Sequence, residues 1–340
     1  MMEFSDIIKK LTTKQDLTSD ECKFAMQKIM SGESDPVLTS AFLVALKMKG
    51  ETPVEIASLV WTMREFSEKI KIDGLLIDTC GTGGGEVKTF NISTAAMFVV
   101  AGAGITIAKH GNKAITSQAG SADVLEALGV KIDLMPEKVK ECIEAVGVGF
   151  MFAPIFHKAM KNVMPVRKTL GIRTIFNILG PLTNPANTQG QVLGVFEPEL
   201  TEKLAEVLKI IGVKKAFVVH GLEGLDEIST VGETKVSELN NNEIKNYIIN
   251  PQGFGIKQTS IEYLKGGNKD YNARLIKEIL DPTKSDSPAR DIVLLNAAAG
   301  IVVGGKANSI EEGLKLAQES VTSGKAQEKL LDLVKFCQSC

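Results

Sequence analysis

The chain has 340 residues, 44% of them hydrophobic and 24% charged, with a formal net charge of −2. That composition belongs to a soluble globular protein long enough for two domains, and the balanced charge argues against a nucleic-acid surface, which needs a strongly basic patch. Its longest apolar runs, such as Ala95 to Ala108, contain glycines and stop short of the roughly 18 residues of a membrane span, so no membrane partner is expected.

The opening MMEFSDIIKKLTTKQDL lacks an uninterrupted apolar core and does not read as a secretory signal. Five cysteines, an odd number without framework spacing, fit a reducing cytoplasm. Cys337-x-x-Cys340 has no second pair beside it and reads as a tail rather than a zinc or redox centre.

Residues 1 to about 70 read as helical. Phe4, Ile7, Ile8 and Leu11 fall on one helical face, and Leu43, Val44, Leu46 and Met48 continue a buried one. Thr18-Ser19-Asp20-Glu21 and Thr52-Pro53-Val54-Glu55 are helix starts, the second with proline at the first helical position and Glu55 placed for a capping box. From Asp73 onward, short β-branched runs alternate with amphipathic segments. Strands are expected at 75–78, 105–109, 149–152, 190–196, 215–220 and 234–237. Helices are expected at 92–103, 122–128, 136–145, 199–211, 269–280, 288–303, 309–322 and 325–337. The fold class is therefore α/β: a small all-helical domain, 1–72, and a larger domain, 73–340, with a mainly parallel central sheet flanked by helices. Met164 to Pro185 interrupts the alternation; helical pieces at about 165–185 are expected to pack back on the N-terminal helices and leave a cleft between the lobes.

The chemistry is concentrated between Ile77 and Asp123. A strand opens into Gly81-Thr82-Gly83-Gly84-Gly85, and Asn91-Ile92-Ser93-Thr94 then starts a helix. Glycines allow close backbone approach and the bare N–H groups of a helix start suit an anion, with phosphate the obvious candidate. The loop is neither a Walker A motif nor GxGxxG. Lys109-His110-Gly111-Asn112-Lys113 follows the next strand and Gly120-Ser121-Ala122-Asp123 opens the next helix, so consecutive strand ends carry polar loops, where open α/β sheets bind ligands.

His110, His157 and His220 show no metal-ligand spacing, so each is either a ligand contact or a hydrogen-bonded structural residue. Asp226-Glu227, just past the strand at 215–220, would be a solvated turn in isolation; beside a phosphate loop the pair suits magnesium bridging to substrate phosphates, with Ser93 adding a hydroxyl. Arg167 is either a fork for a ligand carboxylate or half of an ion pair between helices.

GTGG with TFNIST, KHGN, GSADVLEALG, PVRKTLGIRTIFNILGPLTNP and GLDEIS together resemble the anthranilate phosphoribosyltransferase family over nearly the whole chain, the last two blocks being the most specific. The resemblance implies a fold of the nucleoside phosphorylase class II type and a homodimer formed through the helical domain. It implies transfer of phosphoribose from phosphoribosyl pyrophosphate (PRPP) to anthranilate in tryptophan biosynthesis, in the cytoplasm, with two Mg2+ ions. Carried over by motif, Gly81, Thr82, Gly84, Gly85, Thr89, Asn91, Ile92, Ser93, Thr94, Lys109 and Ser121 would hold PRPP, and Ser93, Asp226 and Glu227 the metal. Gly81, Asn112, His157, Arg167, Gly180 and Pro181 would line the anthranilate site, with Lys109, His110 and Arg167 in catalytic roles. Gly85, Glu86, Lys113, Lys158 and Asn162 depart from the family's commoner residues, Gly85 standing where the loop normally has Asp. A pyrimidine nucleoside phosphorylase on the same fold is disfavoured by the Arg167 to Pro185 block, and a non-catalytic nucleic-acid binder by the net charge and by Asp226-Glu227.

Overall fold

The computed structural model describes residues 2–85, 87–114 and 118–340, so Glu86 lies outside the described residues. The first four helices are α1 (Phe4–Thr12), α2 (Ser19–Ser31), α3 (Pro36–Lys49) and α4 (Pro53–Glu65). Local chemistry sets their ends: Thr18 with Glu21 and Thr52 with Glu55 form capping boxes, and Asp35 caps α3 ahead of Pro36. Glu55 does more than cap. Its fully buried carboxylate also accepts the Leu17 N–H at 2.8 Å and Lys49 Nζ at 2.8 Å, tying α3 and the α1–α2 connection to the start of α4.

Seven strands form one sheet: β1 (Leu76–Gly81), β2 (Thr106–Gly111), β3 (Val148–Phe152), β4 (Gly190–Gly194), β5 (Lys215–Gly221), β6 (Thr234–Asn240) and β7 (Glu243–Ile249). Their order is β3-β2-β1-β4-β5-β6-β7, with the first five parallel and the last two antiparallel. β4 stops at Gly194, two residues short of the expected strand, and β7 was not expected at all. Its edge position leaves most side chains partly or fully exposed, which blurs the apolar pattern, but Asn241-Asn242 at φ 48° and 73° is a hairpin signal readable in advance. The chain leaves β1 for β2 and β3 on one side and returns to β4 on the other, so the crevice at the carboxyl end of β1 is the switch point of the sheet.

The remaining helices are α5 (Ile92–Gly102), α6 (Ser121–Leu128), α7 (Pro136–Val146), α8 (Ala153–Phe156), α9 (Met164–Leu170), α10 (Phe176–Leu182), α11 (Leu200–Ile210), α12 (Lys269–Leu280), α13 (Pro288–Val303), α14 (Ile310–Thr322) and α15 (Lys325–Gln338). α5 and α13 are apolar on nearly all sides because they are sandwiched between the sheet and α14 and α15. A second core lies on the other side of the molecule. There Phe42, Leu46, Ile56 and Leu59 of the bundle meet Val166, Phe176 and Leu179 of α9 and α10, Leu204 and Leu208 of α11, and Leu193 and Val218 of the sheet. Each such fully buried side chain contributes roughly 1.5–3 kcal/mol. The turn Lys158–Asn162 is fastened to the bundle by Asn162 Nδ2 donating to Met30 O (2.8 Å) and by a Lys158 to Glu68 ion pair (2.9 Å). Arg64 extends from α4 to Leu182 O at 2.7 Å and Asn187 Oδ1 at 2.8 Å.

Candidate active site

The glycine loop lies flat across the ends of β1 and β4. Thr82 N–H donates to Gly194 O (2.8 Å), the Thr82 hydroxyl accepts Phe196 N–H (3.2 Å), and Gly83 N–H donates to Asp226 Oδ2 (2.9 Å). A Cβ at Gly81 would sit 2.8 Å from Asp226 Oδ2, and one at Gly194 would overlap the Asp226 carbonyl. Glycine at these two positions is what lets the acidic turn after β5 approach the loop. Gly84 takes φ +80°, and its carbonyl accepts the Arg173 guanidinium, which stacks 4.2 Å from the centre of the Phe196 ring.

At the start of α5, Ser93 N–H donates to Glu227 Oε1 (3.3 Å) and the Ser93 hydroxyl faces Lys109 Nζ (3.4 Å). Lys109 is 2% exposed; it also donates to Thr79 O and makes no ion pair among the described residues. Its charge instead acts at longer range on Asp78 and Glu227. Asp78 is wholly buried, with Oδ2 accepting Asn184 Nδ2 (2.8 Å) and His110 N–H (3.4 Å), while Oδ1 has no hydrogen-bond partner among the described residues. Burial raises its pKa against the opposing pull of Lys109. Burial also raises Asp226 and, with the neighbouring Asp226 charge second, pushes Glu227 up to about 8.

These acids fit a hard divalent cation: two adjacent carboxylates short of positive charge, and a hydroxyl on the residue whose N–H holds one of them. Among the described residues no set of three acidic, histidine or cysteine side chains converges, here or elsewhere, so the protein itself would offer a cation only this pair of acids and the Ser93 hydroxyl. A raised carboxyl holds in the fold a proton that the unfolded chain, with Glu227 near its ordinary 4.5, has already lost. Its contribution to stability is complete below that value and is lost as pH rises through about 8. Without magnesium the thermal midpoint is therefore expected to fall across that interval, less steeply in Glu227→Gln, while magnesium affinity tightens as the competing proton leaves. Parallel slopes for the two proteins would contradict this.

A second cluster faces the first. His110 and His157 lie with ring centres 4.9 Å apart, 9% and 2% exposed. Both His157 ring nitrogens and His110 Nε2 make no hydrogen bond among the described residues. Burial, with His157 and Lys109 adding, holds His110 well below its usual pKa, and burial brings His157 to about 4, so both rings are neutral. His110 lies against the Gly180 main chain and His157 against that of Thr183, and ring nitrogens without a well-formed hydrogen bond are what a polar ligand would satisfy. Gly180 lies against His110 with open space where a Cβ would project, and Pro181 O accepts Gln191 Nε2 at 2.7 Å. Arg167 sits 5.6 Å over Phe176 and touches Met164 Sδ at 3.9 Å. Burial lowers its pKa, and it meets no carboxylate among the described residues, so the interhelix ion-pair reading finds no partner there.

Not every candidate presents its side chain. Ile92 is fully buried with its N–H bonded to Phe90 O (2.8 Å), and Thr94 is 1% exposed, so both shape the helix start from behind. Gly85 is buried, and a Cβ there would come within 3.0 Å of Gly224 O and 3.3 Å of Asp226 Oδ1, so a third carboxylate would crowd the acidic turn. Asn112 is exposed just past the end of β2, where its carbonyl accepts the Ser121 hydroxyl (3.4 Å); Lys113 is occupied by Glu126 (3.0 Å). Thr89 pairs in a β-bridge with Lys265. His220 Nδ1 bonds Val195 O (2.7 Å), a structural role. The sequence reading did not single out Asp78, Asn184, Arg173 or Asn272, since no spacing marks one isolated polar residue among many; only the DTCGTGG and GIRT contexts hinted at Asp78 and Arg173.

The pattern described as the glycosyl transferase family helical bundle domain matches residues 5–67, and the a/b domain of the same family matches residues 73–327. The chain is 52% identical over 334 residues to the anthranilate phosphoribosyltransferase of Acetivibrio thermocellus, covering 98% of this chain and 96% of that protein. The crystal structure of the Thermus thermophilus anthranilate phosphoribosyltransferase matches with a TM-score of 0.93 at 43% identity, covering 98% of this chain and 99% of that one. The Saccharomyces cerevisiae anthranilate phosphoribosyltransferase in complex with PRPP and Mg matches with a TM-score of 0.91 at 29% identity, covering 99% and 98%.

Proposed function

This chain belongs to the anthranilate phosphoribosyltransferase family, and on that footing we propose how its own residues divide the work. The enzyme transfers phosphoribose from PRPP to the amino group of anthranilate, giving N-(5-phosphoribosyl)anthranilate and pyrophosphate in tryptophan biosynthesis. The observation that carries the assignment of roles is the pairing of two clusters: Lys109 with an oxygen-rich turn at the ends of β1, β2 and β5, and neutral imidazoles with a part-buried guanidinium on the helical side.

The loop from Gly81 to Gly85, with Thr89, Asn91, Ser93, Lys109 and Ser121, holds PRPP, while Ile92 and Thr94 shape the helix start behind it. Ser93, Asp226 and Glu227 hold magnesium, as two ions. When bound, the metal neutralises charge on the diphosphate. As the C1–oxygen bond of the ribose breaks, negative charge builds on that diphosphate, and the main-chain N–H groups and Lys109 stabilise it without rearranging. Arg167 grips the anthranilate carboxylate with its planar fork. Asn112, His157, Gly180 and Pro181 orient the ring, with His110 beside it. The aromatic amine is neutral and nucleophilic as bound, so positioning serves it better than a strong base. Imidazoles whose basicity burial lowers suit hydrogen bonding to it, and once the C1–N bond has formed the nitrogen is cationic and acidic, so its proton passes to solvent or to the departing pyrophosphate without a strong base.

The test is to mix protein, magnesium, PRPP and anthranilate and follow anthranilate fluorescence; no loss, with turnover of uridine and phosphate instead, would replace this reading by a nucleoside phosphorylase. Arg167→Ala is expected to raise the anthranilate KM about 10- to 100-fold, the worth of a charged bidentate contact, and to leave the PRPP KM nearly unchanged. Equal effects on both would count against the fork.

Residues 1–72 with the joined segment 165–185 form one lobe, 73–340 the other, and the helical lobe makes a homodimer. Met48, expected on the buried face, is instead 78% exposed near the end of α3, and with Val37 (74%) and Trp61 (44%) on α3 and α4 it supports that interface. Five free thiols support a cytoplasmic location, and no helix among the described residues is long and apolar enough to cross a membrane.

A further inference from the structure

We propose that Asn272, at the start of α12, is a positioning residue for the PRPP loop: it sets the orientation of the Asn91 side-chain amide. The proposal rests on the reading of Asn91 as a PRPP contact. Asn91 stands at the N-cap of α5, yet its side chain makes no capping bond. Instead Asn91 Nδ2 donates to Ala119 O (3.1 Å), just before Ser121, and Asn91 Oδ1 accepts Asn272 Nδ2 (2.9 Å). Asn272 is 2% exposed, and its own Oδ1 accepts Gly267 N–H (2.8 Å).

Main-chain groups that cannot exchange roles end this relay. Gly267 N–H can only donate and the Ala119 carbonyl can only accept, so turning either amide over would set oxygen against oxygen and N–H against N–H. Such a buried mismatch costs about 1–3 kcal/mol for each group left unsatisfied. One N–H and one lone pair of Asn91 therefore remain outside the relay, in fixed directions.

The same downstream segment grips the loop's main chain. Phe90 N–H donates to Leu264 O (3.1 Å), Gly266 N–H donates to Lys88 O (3.2 Å), and Thr89 bridges to Lys265. A Cβ at Gly266 would stand 2.5 Å from Thr89 O. The stretch from Leu264 to Asn272 thus acts as a clip on the loop at Lys88 to Asn91, and through Asn91 it is joined to the loop ending at Ser121.

Asn272→Asp tests this with almost no change of shape. The new carboxylate still accepts from Gly267 but turns an acceptor on Asn91 Oδ1. We expect the PRPP KM, and the Kd for magnesium and PRPP by calorimetry, to rise about tenfold, one lost hydrogen bond's worth. The anthranilate KM should stay within about twofold, since the relay contacts none of His110, His157, Arg167, Gly180 or Pro181. Asn91→Ala should show a similar PRPP defect, and adding Asn272→Asp to it should cost nothing more. Additive effects would mean that the new charge merely repels the substrate, and would overturn the proposal, as would an unchanged PRPP KM or equal rises for both substrates. If Asn272→Asp does not fold, Asn272→Ala replaces it, which removes the donor to Asn91 Oδ1 outright, with the same selective PRPP defect expected and a uniform one fatal. Wild-type protein in the same assay separates the two readings: its failure to turn over would sink the function, not the relay.

Discussion

The Asp226→Asn, Glu227→Gln double variant is expected to lose about 10²- to 10³-fold in kcat, the scale on which preorganised charge at a developing anion matters. It should keep its anthranilate affinity. Neutral amides of nearly the same size leave Gly83 N–H and Ser93 N–H with oxygen acceptors at 2.9 Å and 3.3 Å, so the loop geometry is retained while the charge is not. The same change removes a strain. Glu227 at about 8 and the raised Asp226 show that these acids are held against their preference when no cation is present. The double variant should therefore be more heat-stable than the wild type at alkaline pH without magnesium, and its thermal midpoint should no longer rise when magnesium is added. Gaining stability while losing activity is the signature of a strained functional site. An unaltered magnesium titration of rate, or a magnesium-dependent midpoint like the wild type's, would defeat the assignment.

Lys109→Met should be nearly as damaging for a different reason. The methionine fills most of the volume, but Thr79 O and the Ser93 hydroxyl lose their donor, and Asp78 and Glu227 lose the charge that opposes their protonation. Stability is expected to fall by about 1–3 kcal/mol for the unsatisfied buried groups. The rate should fall by about 10²-fold or more because the leaving diphosphate loses a fixed cation. Asp78→Asn in the Lys109→Met background should recover part of the stability, since it removes the uncompensated buried carboxyl, and none of the rate. A variant whose kcat stays within tenfold of the wild type would show that Lys109 is structural only.

The sequence was informative wherever one residue's fate depended on its near neighbours. Thr18 with Glu21 and Thr52 with Glu55 announced the helix starts because both partners of a capping box lie three residues apart. The β-branched runs marked the parallel strands, and the glycine loop followed by Asn91 to Thr94 the turn from strand to helix, for the same reason. β7 escaped because an edge strand need not alternate cleanly, although the Asn241-Asn242 turn was there to be read.

Chain order alone left open whether Arg167 meets a carboxylate of the protein, whether His110 and His157 lie together, and that Arg173 and Asn272 reach Gly84 and Asn91 from 89 and 181 residues away. Those relations exist only because β1 pairs with both β2 and β4, bringing the ends of distant strands to one crevice. Local propensity decides which segments are helix or strand, since its partners are covalently nearby. The hydrogen bonds and charges that make the site join residues whose separation is set by strand order, and no pattern of neighbours encodes that.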